Sequence, residues 1–220
     1  MKKNGKRLLF LGSIFIGVFI IWTVLIQMID VQPLGVNGTN IGFSKINCWF
    51  HQFTGVHMEI YYITDWLGLV PVFICMIFGG IGFVQLMKRR SLLKVDFDIV
   101  FLGIYYVIVI FCYLIFEMIP INYRPILIGE LMEVSYPSST TLLVLCVMPT
   151  LIEQVDRRLE SVIFKKIIKA FVICFSALMV FGRLISGVHW LTDIVGSIML
   201  SLGLFCIYKS SVLLCYKGKG

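Results

Sequence analysis

Charge is what this chain has least of: Asp, Glu, Lys and Arg make up only 14% of its 220 residues, against 59% hydrophobic. A soluble protein is about half apolar and about a quarter charged, so a mean hydropathy of +0.96 excludes water as the main solvent. Also missing is the alternation of apolar and polar residues over segments of about ten that a membrane β-barrel needs. The apolar runs are continuous, and helices are the other way to satisfy every backbone polar group in lipid. The seven cysteines (Cys48, Cys75, Cys112, Cys146, Cys174, Cys206, Cys215) form no CxxC, and all but Cys48 fall in or at the ends of apolar runs. They read as small packing residues and imply neither a disulfide framework nor a zinc site. The formal charge of +7 is not gathered into one basic block, which argues against a nucleic-acid partner. With no repeat and no low-complexity tract, residues 1–220 read as a single domain.

What is there is a set of runs near the length of ~20 residues that a bilayer-spanning helix needs. The pattern predicts helices near Leu8–Ile29, Leu67–Met87, Ile99–Ile119, Ser139–Glu153, Ile167–Leu184 and Leu191–Leu214, an all-α, polytopic bundle of six transmembrane helices. The first run follows Lys2, Lys3, Lys6 and Arg7 as a signal peptide would, but no small-residue cleavage pattern follows it, so an uncleaved anchor is expected. Sixteen of the nineteen Lys and Arg fall in the amino-terminal tail, the Lys88–Lys94 and Arg157–Lys169 loops and the carboxyl-terminal end. By the positive-inside rule both termini are then cytoplasmic, and segments 31–66, 120–137 and 185–190 external. Trp49, Trp66 and Trp190 fall on the external side, the last two at expected helix starts, as in an interfacial aromatic belt. A plasma membrane is the expected location, and the chain suits a bacterial one.

The external side receives only Lys45, Arg124 and Arg183. Arg183 opens the strongest local pattern, Arg183-Leu-Ile-Ser186-Gly187-Val-His189-Trp-Leu-Thr-Asp193. His189 and Asp193 are four apart, so on a helix they share a face, and the carboxylate can hold one imidazole nitrogen while the other points away as a nucleophile or base. The plainer reading is two interfacial side chains reaching for water and a helix-start Asp. Against it, an ionisable residue inside a membrane helix is costly and functional by default. Arg124, in Asn122-Tyr-Arg-Pro125, offers a planar fork of donors for phosphate. Ser138 and Ser139 open the fourth helix after Pro137, where free N–H groups attract an anion, although Ser138 also suits a simple N-cap.

Together these residues resemble the type 2 phosphatidic acid phosphatase (PAP2) superfamily, over the third to sixth helices (about 99–214). The family's first motif is Lys, six residues, Arg-Pro; its second, Pro-Ser-Gly-His; its third, Ser-Arg, five residues, His, three residues, Asp. Arg124-Pro125 matches the end of the first, Pro137-Ser138 the start of the second, and Arg183, His189 and Asp193 the third. The resemblance implies hydrolysis of a lipid phosphate or diphosphate, polyprenyl or glycerolipid, at the external face. His189 would attack phosphorus to form a phosphohistidine, with Asp193 supporting its charge. Arg124, Arg183, Ser138 and Ser139 would hold the phosphate oxygens. No metal or other cofactor is implied; the expected partners are the lipid substrate and membrane lipids.

The departures from the family lie at named positions. Glu117 stands where the first motif has Lys, Thr140 where the second has the His that protonates the leaving group, and Gly182 where the third has Ser. A threonine cannot act as a general acid near neutral pH, and that catalysis is worth about 10²–10⁴-fold. Its loss favours a diphosphate, whose leaving phosphate ester has a second pKa of about 6, over a monophosphate, which must expel an alkoxide. His51 and His57 are the candidate replacements, though both also read as exposed loop histidines. An inactive relative that binds or transports a lipid phosphate is the alternative.

Overall fold

The computed structural model describes residues 2–215, so of the basic residues that set the expected topology Lys217 and Lys219 lie outside the described residues. Among the described residues the α-helices are α1 (Lys2–Ile26), α2 (Ser44–Thr54), α3 (Met58–Leu67), α4 (Leu69–Arg89), α5 (Phe97–Met118), α6 (Ser139–Arg158), α7 (Val162–Ile185) and α8 (Leu191–Cys215). Among the described residues six helices are long and apolar enough to cross a membrane, and one of them is α3 and α4 taken together. The expectation of a six-span all-α bundle holds, with one correction. The second span begins at Met58 rather than Leu67, because Gly68 keeps a right-handed helical conformation (φ −59°) between α3 and α4. Its 32 residues reach about 48 Å, longer than a hydrocarbon core of ~30 Å.

α6 and α8 form the centre, with Leu142, Val144, Val147, Met148, Leu200 and Leu204 buried, while the outer helices keep apolar faces exposed, as lipid solvent allows. α1 lies antiparallel along α8. Ser210 Oγ donates to the Gly5 carbonyl (2.7 Å) at one end, and Trp22 Nε1 to the Thr192 carbonyl (3.2 Å) at the other. Between them a Cβ on Gly12 would fall 2.8 Å from Ile207 Cγ1 and 3.0 Å from the Gly203 carbonyl oxygen, the small-residue contact by which membrane helices approach closely. This pairing puts the start of α1 and the end of α8 at one end of the bundle.

The connections at the opposite end build the candidate site. Asn47 of α2 donates to the Gly42 carbonyl (2.8 Å) and to Thr192 Oγ1 (3.0 Å), and accepts from Thr192 N (3.2 Å), so it satisfies one of the free N–H groups at the start of α8. Residues 122–135 double back as a short hairpin: Ser135 N donates to the Asn122 carbonyl (2.9 Å) and Arg124 N to the Glu133 carbonyl (3.0 Å). The turn after α7 is closed by Gly187 at φ +71°, where a Cβ would also strike the Gly55 carbonyl oxygen at 2.1 Å. Two further corrections follow. Trp66 ends α3 instead of starting a helix, and Trp190, 3% exposed, is no belt residue: its Nε1 donates to the Tyr123 carbonyl (2.8 Å) and fastens the hairpin.

Candidate active site

His189 lies in the turn before α8 and Asp193 in the first turn of α8, so the two are not on one helix face as the spacing predicts. They still meet, with His189 Nδ1 3.7 Å from Asp193 Oδ2. The closer partner of Nδ1 is the Ser135 carbonyl oxygen at 3.1 Å. Facing a carbonyl, Nδ1 must carry the proton, which leaves the lone pair on Nε2. That nitrogen is buried and has no hydrogen-bond partner among the described residues. Burial pushes the imidazole down to about 4, against the pull of Asp193, so it is neutral at pH 7. Asp193 is fixed in turn: Oδ2 accepts from Trp190 N (2.9 Å) and Oδ1 from Asn122 Nδ2 (3.1 Å). The hairpin thus orients the histidine through Ser135 and its carboxylate through Asn122.

Two buried guanidiniums stand close enough to this imidazole to oppose its protonation, those of Arg124 and Arg183. Arg183 is only 1% exposed. Its Nη2 donates to Asp65 Oδ1 (2.8 Å) and to Thr140 Oγ1, while Nε and Nη1 have no partner among the described residues. Arg124 Nε pairs with Glu133 Oε2 at 3.0 Å, and its Nη1 is likewise buried and unpartnered. Both lie over the Tyr61 ring, Arg183 Cζ at 4.9 Å and Arg124 Cζ at 5.5 Å from its centroid. An unmade hydrogen bond on a buried group costs about 1–3 kcal/mol, more when it is charged. Cationic donors left open around a neutral imidazole with a free lone pair form a receptor for an anion.

The remaining sequence candidates divide. Ser139 and Glu117 line a small cleft together with His189, whereas the hydroxyl of wholly buried Ser138 donates to Thr141 Oγ1 (3.0 Å). Thr140 binds Arg183. His51 tilts against Trp190 (5.5 Å between ring centroids), and the His57 ring is engaged with the Thr54 carbonyl (2.9 Å). Sequence reasoning missed Tyr61, Asp65, Asn122, Glu133 and Ser135. The signal for Asp65 was present: it is a carboxylate between the apolar runs 60–63 and 66–67, costly so close to a membrane span.

A cavity of about 570 Å³ leads away from the site between α4, α5 and α6. Asp65, Ser139 and Thr140 form its polar end, and Val72, Val109 and Val147 belong to its long apolar wall. Ser139, Tyr113 and Leu142 line both this cavity and the His189 cleft, so the two adjoin.

No curated protein matches the chain significantly in sequence. By backbone, it is similar to the crystal structure of a transmembrane PAP2-type phosphatidylglycerolphosphate phosphatase from Bacillus subtilis, at a TM-score of 0.66 and 16% identity, covering 94% of this chain and 98% of that one. The family model of the PAP2 superfamily matches residues 100–215, which hold α6, α7, α8 and all but the first three residues of α5, with the hairpin and both arginines. The chain belongs to the PAP2 superfamily.

Proposed function

We propose that this membrane protein hydrolyses a lipid phosphate or diphosphate at the external interface through a phosphohistidine on His189. The observation that carries the reading is the set of buried, unpartnered nitrogens: Arg183 Nε and Nη1 and Arg124 Nη1 as donors, His189 Nε2 as the lone pair they surround. Phosphate oxygens on the guanidiniums bring phosphorus toward Nε2, which attacks in line. The positive charge that develops on the imidazole is met by Asp193 at 3.7 Å. Water then releases phosphate. The adjoining apolar cavity, at membrane depth, suits the hydrocarbon chain of a polyprenyl or glycerolipid substrate. The charge bias supports an external site and cytoplasmic termini.

Phosphate release from the purified protein tests the reading. The wild type should release phosphate from a lipid mono- or diphosphate in detergent micelles, and His189→Ala should lose at least about 10³-fold in kcat. Equal release by His189→Ala excludes the mechanism. Binding of the lipid with no release by either would favour the binding or transport alternative, for which the carboxylates already seated on both arginines speak.

A further inference from the structure

The mechanism leaves one chemical task without a residue: a lipid alkoxide has to be protonated as it leaves, and Thr140 cannot do it. We infer that Asp65 is the general acid of this chain, taking the role that the family's second-motif histidine would have at position 140. The inference rests on the phosphatase reading above. Asp65 Oδ1 and Thr140 Oγ1 accept from the same nitrogen, Arg183 Nη2, so the carboxylate shares with Thr140 the contact at the vacated position. It arrives there from α3, which lies outside the family match at residues 100–215.

The shape of the site says which oxygen Asp65 faces. A phosphate on the open nitrogens of Arg183 and a hydrocarbon chain in the apolar cavity are joined by the ester oxygen, and the polar end of that cavity is made by Asp65, Ser139 and Thr140. The leaving oxygen therefore passes Asp65. The other candidates are placed worse. His51 lies against Trp190, the His57 ring is occupied by the Thr54 carbonyl, Glu133 is tied to Arg124, and Glu117 lines the His189 cleft but not the apolar cavity that would hold the lipid chain. The Asp65 side chain is 56% exposed while that of Arg183 is 2% exposed, so the carboxylate is the partner free to move when a phosphate takes over the guanidinium.

That exchange also supplies the proton. A phosphate monoanion brings one and passes it to the Asp65 carboxylate that it displaces. As the bond from His189 Nε2 to phosphorus forms, the ester P–O bond breaks with its electron pair going to the lipid oxygen. That oxygen takes the proton of Asp65 and leaves as the alcohol. The carboxylate then accepts a proton from the water that attacks phosphorus, and the P–N electron pair returns to Nε2. The diphosphate preference expected from Thr140 alone thus belongs to a chain that lacks Asp65.

Leaving-group dependence tests the assignment with the full chain in detergent. A lipid monophosphate needs the acid and p-nitrophenyl phosphate does not. Asp65→Asn should lower kcat on the lipid monophosphate by about 100-fold or more, and on p-nitrophenyl phosphate by less than about 5-fold. Thr140→His added to Asp65→Asn should restore at least about 10-fold on the monophosphate only. An equal loss on both substrates would make Asp65 a structural partner of Arg183 and overturn the proposal. So would an unchanged monophosphate rate, or the same leaving-group dependence in Glu117→Gln. Release by His189→Ala equal to wild type, or no turnover by the wild type, would instead overturn the phosphatase reading and the proposal with it.

Discussion

At the scale of single residues, the site stands on two like charges held side by side out of water. Arg124 and Arg183 repel each other, and the ring of Tyr61, 5.5 and 4.9 Å from their Cζ atoms, is the neutral surface that both can share. A cation–π contact is worth about 0.5–2 kcal/mol, depending on how far it is desolvated. Tyr61→Leu, which keeps bulk but removes the π face, should therefore raise KM for a lipid phosphate roughly 3- to 30-fold, with a smaller change in kcat. Tyr61→Phe should leave both near wild type. Identical kinetics for all three proteins would show that the ring merely fills space. The motif residues were legible because short spacings fix them: Arg183 is in the last turn of α7, His189 in the turn that follows and Asp193 in the first turn of α8. Tyr61 and Asp65 were not, because Asp65 meets Arg183 across 118 positions of sequence.

At the scale of elements, the departure at Gly182 has a physical reason in α3. A Cβ at position 182 would lie 2.6 Å from Thr64 Cγ2, so the serine of the family's third motif does not fit beneath this helix. Thr64 Oγ1 accompanies it by donating to the carbonyls of Ile60 (2.8 Å) and Tyr61 (2.9 Å) in its own helix. Gly182→Ser should push α3 outward and cost about 1–3 kcal/mol of stability, the range for overpacking. Thr64→Ser, which deletes only the methyl, should recover most of it in the double variant. Thermal unfolding in one detergent reads the cycle, and strictly additive effects would mean that the contact is not what excludes a side chain at 182. The long helical runs were readable because hydrophobicity in lipid is a property of composition. The extension of the second span was not: Glu59, Thr64 and Asp65 interrupt the apolar pattern, and whether Gly68 bends or continues a helix depends on packing.

At the scale of the molecule, the antiparallel pairing of α1 with α8 and the six spans give the bundle two distinct ends, and the site occupies the one away from the start of α1. On our proposal, which rests on the charge bias, that end is external. In a background without native cysteines, Thr39→Cys in the loop before α2 should react with an impermeant thiol reagent in intact cells, and Arg90→Cys should not. Labelling at position 90 but not at 39 would invert the topology. The central claim is that His189 takes the phosphoryl group, and rapid quenching of the protein on a radiolabelled lipid phosphate tests it most directly. The account predicts transient label on the peptide that carries His189, lost in His189→Ala. Phosphate release by the wild type with label on another residue, or with none at any time resolved, would contradict it.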